Sequence, residues 1–206
     1  WAAALATSGL PVAGFETGGT GKARIAFAAP LPAAARGEAE LAELWLTERR
    51  QLWEVREALA GRLPDGHRWV GAEDVWIGAP PLAGRVAAAD WRVDVELPTV
   101  EAERLAEVAR ILVAARSLPR VRVKGGAEKR YDLRPLLADV AVVAAPGDGP
   151  CVVRVRTRFL PDQGAGRPEE VVAALAEAAG TTLDIVAITR ERLLLVEDLR
   201  ADGAVR

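Results

Sequence analysis

The sequence predicts an α+β fold whose two halves repeat a similar order of strands and helices. Over residues 85–97, apolar residues alternate with polar ones, which is the period of a strand with one buried face. Over residues 99–116, apolar residues recur three and four positions apart, which is the period of an amphipathic helix. A Pro-Pro pair and a nearby glycine precede these elements, so we expect one domain over residues 1–79 and a second over residues 85–206.

The first half combines short apolar stretches with one amphipathic segment. A glycine-rich stretch joins its first two expected strands. Leucine and valine at helical spacing predict its longer helix, which a Pro-Asp-Gly turn ends. The expected elements are a helix over residues 1–8, strands at 10–15, 24–28 and 41–46, a helix at 49–63 and a strand at 68–77.

The second half contains longer elements. Thr99 is expected to cap the amphipathic helix, and Gly125 and Gly126 to form a turn. Pro168 suits the first turn of the last helix, and Gly180 suits its end. The expected elements are strands at 85–97, 120–124, 129–133, 141–145, 151–159, 183–188 and 193–197, and helices at 99–116 and from 168 to 180.

Each half therefore reads as strand, helix, strands, helix and strand. This order fits two ferredoxin-like (split βαβ) halves. The first half would need one more strand before Trp1 to complete the pattern. Half of the residues are hydrophobic, so we expect a chain of this length to bury an ample core.

Composition excludes several classes of protein. The net charge is −2, so any attraction to nucleic acid must come from local patches rather than from the whole chain. No apolar run approaches the length that crosses a bilayer, and we expect neither a membrane segment nor a signal peptide. Cys151 is the only cysteine, which rules out an intrachain disulfide and favours a cytoplasmic location.

The residue types that usually carry catalysis are scarce, and we expect no catalytic residue and no cofactor. A structural zinc site needs about four Cys or His ligands, whereas the chain has one of each, far apart in sequence. Cys151 is expected to be a buried, unreactive thiol, and His67 to be solvated or to cap a turn. Residues 16–23 lack the first glycine and the Ser/Thr of a phosphate loop, which argues against nucleotide hydrolysis.

Two expected strands place a cation at every second position, with mainly valine between. If both strands lie in one sheet, that sheet has one basic face and one apolar face. Arginine suits phosphate binding because its planar fork donates two hydrogen bonds. The predicted basic face comprises Arg120, Arg122 and Lys124 of one strand and Arg154, Arg156 and Arg158 of the other, extended by Lys129, Arg130 and Arg134, with Lys22 and Arg24 as a weaker addition.

Two other interpretations of these cations stay open. Asp94 and Glu96 lie on the polar side of a strand that could neighbour the basic ones, so cross-strand ion pairs could neutralise the arginines. Alternatively, the cations dock an acidic protein partner, and joint exposure of two or more tryptophans would favour a protein interface. The tryptophans in question, expected as core or interface anchors, are Trp45, Trp53, Trp69, Trp76 and Trp91.

Five stretches of the chain resemble, in order, a bacterial family of uncharacterised domains called radical SAM-linked proteins. The chain departs from the family by starting within its first helix, without the histidine-bearing entry to that helix. It also differs in the loop at 17–21, where the family has Gly-Phe-Asn-Pro and basic residues. The matching stretches are GLPVA at residues 9–13, RIAFAAPLP at 24–32, GEAEL at 37–41, YDLRPL at 131–136 and RPEEVV at 167–172.

The resemblance implies an accessory role. Members of the family occur beside, or fused to, a radical S-adenosylmethionine enzyme, often near genes for a ribonuclease and ribosomal proteins. With one cysteine, this chain cannot hold the iron–sulfur cluster itself. The resemblance therefore implies a non-catalytic partner of a radical SAM enzyme that also binds or presents RNA, here through the basic face. An RNA-modifying enzyme with an unrecognised site is a third interpretation.

Overall fold

The described part of the chain combines five α-helices with ten strands, which confirms the predicted α+β class. The computed structural model describes residues 1–15, 21–96, 99–143 and 150–200, with the backbone alone at 99–101 and 123–124. In chain order the elements are α1 (Ala2–Thr7), β1 (Ile25–Phe27), β2 (Ala35–Gly37), β3 (Ala42–Leu44), α2 (Leu52–Leu59), α3 (Leu82–Arg85), β4 (Val86–Glu96), α4 (Thr99–Ala114), β5 (Pro119–Lys124), β6 (Ala127–Asp132), β7 (Leu137–Val143), β8 (Cys151–Leu160), β9 (Gly164–Ala165), α5 (Pro168–Ala179) and β10 (Asp184–Leu195).

The chain divides into two compact units and passes between them more than once. Unit 1 comprises Trp1–Ala29 and Leu41–Arg85, and unit 2 comprises Pro30–Glu40 and Val86–Arg206. The segment Pro30–Glu40 lies between β1 and β3 in the chain but belongs to unit 2. The sequence predicted a single boundary near residue 80. It did not predict that a segment of the first half belongs to unit 2.

Unit 1 has a small sheet and a small core. β1 and β3 pair antiparallel, and a single bridge joins Val12 to Leu46. The buried cluster of this unit includes Leu5, Val12 and Leu59, so the short helices α1 and α2 each contribute to it. The helix expected at 49–63 is confirmed in a shorter form as α2.

Two strands predicted in the first half are wrong. Residues 10–15 contribute only the bridge at Val12, and residues 68–77 pair with no strand in the part of the chain that the structure describes. The second stretch has the valine and tryptophan content of a strand, yet Val70, Val75, Trp76 and Ile77 are exposed, and Trp69 packs against the core of unit 1. Composition alone does not make a strand, because the backbone needs a sheet edge to bond with.

Unit 2 is built on a six-stranded mixed sheet. The strand order is β2-β10-β4-β8-β7, and the short β9 pairs with the end of β8. β2 runs parallel to β10, whereas the other pairs are antiparallel. One face of the sheet is apolar, and α4 and α5 contact it at β7 and β8. Its core includes Val93, Val95, Leu105, Leu112, Val153, Val155, Val171 and Leu175.

β5 and β6 form a separate two-stranded ribbon. They pair antiparallel as far as Lys124 opposite Ala127, so Gly125 and Gly126 alone make the turn. Both glycines have positive φ, 59° and 82°, as a type I′ hairpin turn requires. The predicted Gly-Gly turn is therefore confirmed.

Most elements predicted in the second half are confirmed within a few residues. β4, α4, β8 and α5 lie where they were expected, and Gly180 ends α5 with a φ of 65°. The strands predicted at 183–188 and 193–197 form one bulged strand, β10, and β2 was not predicted at all. The turn expected at 146–149 lies outside the described residues, as do Leu97 and the side chain of Thr99.

Candidate binding surfaces

The two strands of the predicted basic face do not share a sheet. β5 lies in the ribbon, whereas β8 lies in the six-stranded sheet. The tight Gly-Gly turn pairs β5 with β6, and β8 is already flanked on both sides by β4 and β7. The prediction of one continuous basic face is therefore wrong, and each strand has to be considered by itself.

On β8, Arg156 is neutralised by a carboxylate of the neighbouring strand. Its Nε and Nη2 donate to Asp90 of β4 over 2.6 and 3.0 Å. Arg192 of β10 donates to the same carboxylate over 2.8 Å. Burial alone would raise the pKa of Asp90, but the hydrogen bonds and charges of the two arginines hold it below its ordinary value of 3.8.

The other two cations of β8 also have partners in the same molecule. Arg154 donates to Glu191 over 3.2 Å. Arg158 donates to the backbone carbonyls of Pro135 and Leu137 over 3.2 and 2.9 Å. Ion pairs therefore neutralise two of the three cations of this strand, Arg154 and Arg156. The acids of these pairs, however, are Asp90 and Glu191 rather than the expected Asp94 and Glu96, and Asp94 instead pairs with Arg92 of its own strand.

The cations of β5 bind acidic residues of α5. Arg122 donates from Nε and Nη2 to the two carboxylate oxygens of Glu170, both over 2.9 Å. Arg120 forms an ion pair with Glu177. Alternate strand residues share a face, and so do helix residues seven apart, so the two pairs clasp one face of the ribbon to one face of α5.

Tyr131 completes this clasp. It lies opposite Arg120 on the ribbon, its hydroxyl donates to Glu170, and the guanidinium of Arg122 lies 5.0 Å from its ring centre. Burial, and then the hydrogen bond to the Glu170 carboxylate and the charge of that group, raise the pKa of Tyr131 to about 12. The phenol therefore stays protonated over the physiological range.

Of the three cations expected to extend the basic face, one has partners and two have none among the described residues. Arg134 donates to the carbonyls of Ala115, Val113 and Leu137 over 3.0, 2.6 and 2.7 Å, and so satisfies the carboxyl end of α4. Lys129 and Arg130 of β6 are exposed. Within the described residues, the side chain of neither takes part in a hydrogen bond or ion pair. The side chain of Lys124 lies outside that part of the structure.

Lys22 and Arg24 lie in unit 1. Lys22 is exposed, and the Arg24 guanidinium lies 4.5 Å from the ring centre of Trp45. Such stacking keeps a cation on an aromatic face. Residues 16–20 of the glycine-rich loop lie outside the described residues.

Sequence reasoning missed the ion pair that is most deeply buried among the described residues. The Arg190 side chain on β10 is 1% exposed and binds both carboxylate oxygens of Glu40, with Nε 2.8 Å from Oε1. Its Nη1 donates to the Pro30 carbonyl over 3.2 Å, and the guanidinium lies 5.4 Å from the ring centre of Trp91. Gly37 leaves room for the Glu40 carboxylate, because a Cβ at that position would lie only 2.5 Å from Glu40 Oε1. The only signal was an arginine among the alternating residues of a strand.

The tryptophans range from buried to exposed, with Trp45 and Trp69 partly buried. Trp91 is 3% exposed, and its indole N–H donates to Thr157 over 2.9 Å. In unit 1, Trp53 is 61%, Trp76 78% and Ile77 103% exposed. An ion pair of 3.1 Å between Arg49 and Asp74 connects the residues before α2 to the stretch that holds Trp76. Unit 1 thus presents large apolar side chains to solvent.

The residues expected to be inert have surroundings that agree with that expectation. Cys151 is buried, and burial raises the pKa of its thiol. His67 is exposed and lies edge-on to Trp1, with ring centres 5.5 Å apart.

No group of three or more His, Cys, Asp or Glu side chains that could hold a metal ion occurs among the described residues. None of the helices described is long and apolar enough to span a membrane.

Comparison with known proteins gives a family but no function. The family model described as "Uncharacterized protein conserved in bacteria (DUF2344)" matches residues 3–168, which is most of the chain. No curated protein and no solved structure matches. The match supports a bacterial domain of unknown function, and it does not mention a radical SAM enzyme.

Proposed function

We propose a function from the premise that this chain belongs to the family of uncharacterised bacterial proteins (DUF2344) whose model covers residues 3–168. The protein is a non-catalytic, cytoplasmic accessory protein that docks on a radical SAM enzyme. The identity of that partner comes from the five stretches that resemble radical SAM-linked proteins. The observation that supports docking is the exposure of Trp53, Trp76 and Ile77 in unit 1.

Exposed tryptophans favour a protein partner on energetic grounds. Burying a large apolar side chain contributes about 1.5–3 kcal/mol, and tryptophan is among the residues that most often dominate binding energy at protein interfaces. Trp76 and Ile77 are adjacent, and Val70 and Val75 on the same stretch are 68% and 46% exposed. A partner that covers this stretch would remove several apolar side chains from water at once.

The ion pairs of the six-stranded sheet argue against RNA binding through the polar face of that sheet. Arg154 and Arg156 already bind carboxylates, so a phosphate would have to replace an existing partner. The acidic side chains on the same strands would also repel a polyanion. We therefore place docking in unit 1 rather than on the sheet.

We also propose that unit 2 has a ferredoxin-like topology. Its support is the chain order β4-α4-β7-β8-α5-β10 combined with the antiparallel sheet order β10-β4-β8-β7, which is a split βαβ arrangement with the ribbon inserted before β7. The described part of unit 1 contains only the two-stranded sheet of β1 and β3. The proposal therefore does not extend to a ferredoxin-like first half.

The docking proposal is tested by mixing the purified chain with the radical SAM enzyme encoded beside it and following co-elution by gel filtration. The double variant Trp76→Ser/Ile77→Ser should weaken the complex by about 30-fold or more, because a hot-spot residue contributes at least about 2 kcal/mol. Both side chains are largely exposed, so folding should be unaffected, which circular dichroism checks.

A matched control is Ile111→Ser on α4 of unit 2. Ile111 is 58% exposed, so the change removes an exposed apolar side chain from the other unit and should leave binding unchanged. Separate elution of the two wild-type proteins would contradict the proposal. Equal binding by the wild type, the Trp76→Ser/Ile77→Ser variant and the control would contradict it as well.

A further inference from the structure

We infer that the β5–β6 ribbon is a binding element for the phosphodiester backbone of nucleic acid, with Lys129 and Arg130 as its contact residues. This inference goes beyond the proposed docking on a protein, because it concerns a different unit and different side chains. It arises from a contrast within the ribbon between cations that are neutralised and cations that are not.

The two residues stand apart from the other cations of the ribbon. Arg120 and Arg122 of β5 bind acids of α5, whereas Lys129 and Arg130 of β6 are exposed, and their side chains have no hydrogen-bond or ion-pair partner within the described residues. Their charges are therefore available to an external anion. A phosphate would not have to displace an internal carboxylate from either of them.

The ribbon presents these two cations on both of its faces. Lys129 lies opposite Arg122, on the face clasped to α5, and Arg130 lies opposite Val121, on the other face. Val121 is 56% exposed, so the second face is open to solvent. The clasp fixes the ribbon on α5, which limits the conformational entropy that binding would cost.

The local charge around the ribbon is positive although the chain carries a net charge of −2. Arg116 just before β5 and Arg167 just before α5 are also exposed, with no hydrogen bond or ion pair from their guanidinium groups among the residues described. The acids of the same surroundings are Glu128 and Asp132 of the ribbon and Glu169, Glu170 and Glu177 of α5, of which Glu177 and Glu170 are paired with Arg120 and Arg122. The cations outside these two pairs, Arg116, Lys129, Arg130 and Arg167, therefore outnumber the remaining acids, whereas Arg154 and Arg156 of the six-stranded sheet are paired with acids.

The chemistry of the site indicates contact with the backbone rather than with bases. Base recognition in single strands usually relies on exposed aromatic rings that stack on the bases. The one aromatic side chain of the ribbon, Tyr131, is partly buried and bonded to Glu170. Lysine and arginine bind phosphate regardless of base sequence, so we expect binding that is independent of sequence and sensitive to salt.

The test measures the salt dependence of binding by fluorescence anisotropy, with labelled single-stranded RNA, duplex RNA and duplex DNA of equal length as probes. Wild-type protein should bind at low ionic strength. Each lost phosphate contact lowers the slope of log K against log salt by about 0.7 for single strands and about 0.9 for B-form DNA. The variant Lys129→Ala/Arg130→Ala should therefore reduce the slope by about 1.4 for single strands or about 1.8 for duplex DNA.

The control variant Arg36→Ala/Arg56→Ala removes the same charge elsewhere. Both arginines are exposed, and their side chains have no hydrogen bond or ion pair among the described residues, so the slope should not change. A labelled polyglutamate peptide tests the alternative of an acidic protein partner.

Three results would each overturn the inference. They are the absence of nucleic-acid binding at low salt, an equal effect of both variants on the slope, and tighter binding of polyglutamate than of nucleic acid. None of these results depends on Trp76 or Ile77.

Discussion

At the scale of the residue, Tyr131 reports on the clasp between the ribbon and α5. It is the only tyrosine of the chain, so its titration can be followed by ultraviolet absorbance without a second phenol. We expect a midpoint of about 12 in the folded protein and of about 10 in the unfolded chain. Because the folded pKa is the higher one, the stabilisation is complete below pH 10 and is lost as the pH rises from about 10 to about 12.

The causes of this shift can be separated by substitution. Glu170→Gln removes the charge next to the phenol, so the midpoint should fall toward 10, while the part of the shift due to burial remains. Glu169→Gln is the matched control, because Glu169 is adjacent in sequence and no contact links it to Tyr131 in the described structure. A midpoint unaffected by Glu170→Gln would show that the acceptor has been assigned wrongly.

At the scale of the element, two Arg–Glu pairs hold the ribbon on α5, and their surroundings differ. In one pair, Arg122 and Glu170 have side chains 29% and 19% exposed and form two hydrogen bonds. In the other pair, Glu177 is 73% exposed. A double-mutant cycle to alanine should give a coupling energy of about 1–2 kcal/mol for the first pair and below about 0.5 kcal/mol for the second.

The measurement is the free energy of unfolding in urea for wild type, single and double variants of each pair. Added salt should reduce the weaker coupling first, because water and ions screen the exposed Glu177 more effectively. Equal coupling energies for the two pairs would mean that exposure does not control the strength of the clasp.

Local patterns predicted most elements of unit 2 but not how the elements associate. Alternating valine and arginine is a property of the strand itself, so β5 and β8 could be found from the sequence alone. Their sheet partners depend on turns and on distant strands. Residues 68–77 show the opposite failure, because they have the composition of a strand but pair with no strand among the described residues.

At the scale of the whole molecule, the arginines of the predicted basic face serve contacts within the chain. Of the six cations that defined the predicted basic face, all five with described side chains bind acids or carbonyls of the same chain. The sequence left this alternative open but could not choose the partners. Arg190 and Glu40 are 150 positions apart, so only the folded chain brings them together.

The segment Pro30–Glu40 gives the last prediction, because its attachment to unit 2 depends on one buried charge. β2 pairs with only three residues of β10, so the short ladder needs the bond between Glu40 and Arg190. Glu40→Gln would remove the carboxylate charge that binds the buried Arg190 guanidinium. We expect a loss of about 2–3 kcal/mol in unfolding free energy, somewhat below the range of about 3–5 for fully buried pairs, because the Glu40 side chain is 30% exposed.

Hydrogen exchange measured by mass spectrometry locates the loss. Amides of β2 and of its partner residues on β10 should exchange faster in Glu40→Gln, whereas those between β1 and β3 in unit 1 should keep their protection. The control Glu38→Gln alters an exposed carboxylate that binds no cation among the described residues, and it should behave as wild type. If β2 stays protected in Glu40→Gln, the three-residue ladder holds the segment without help, and the buried pair is not what fixes it to unit 2.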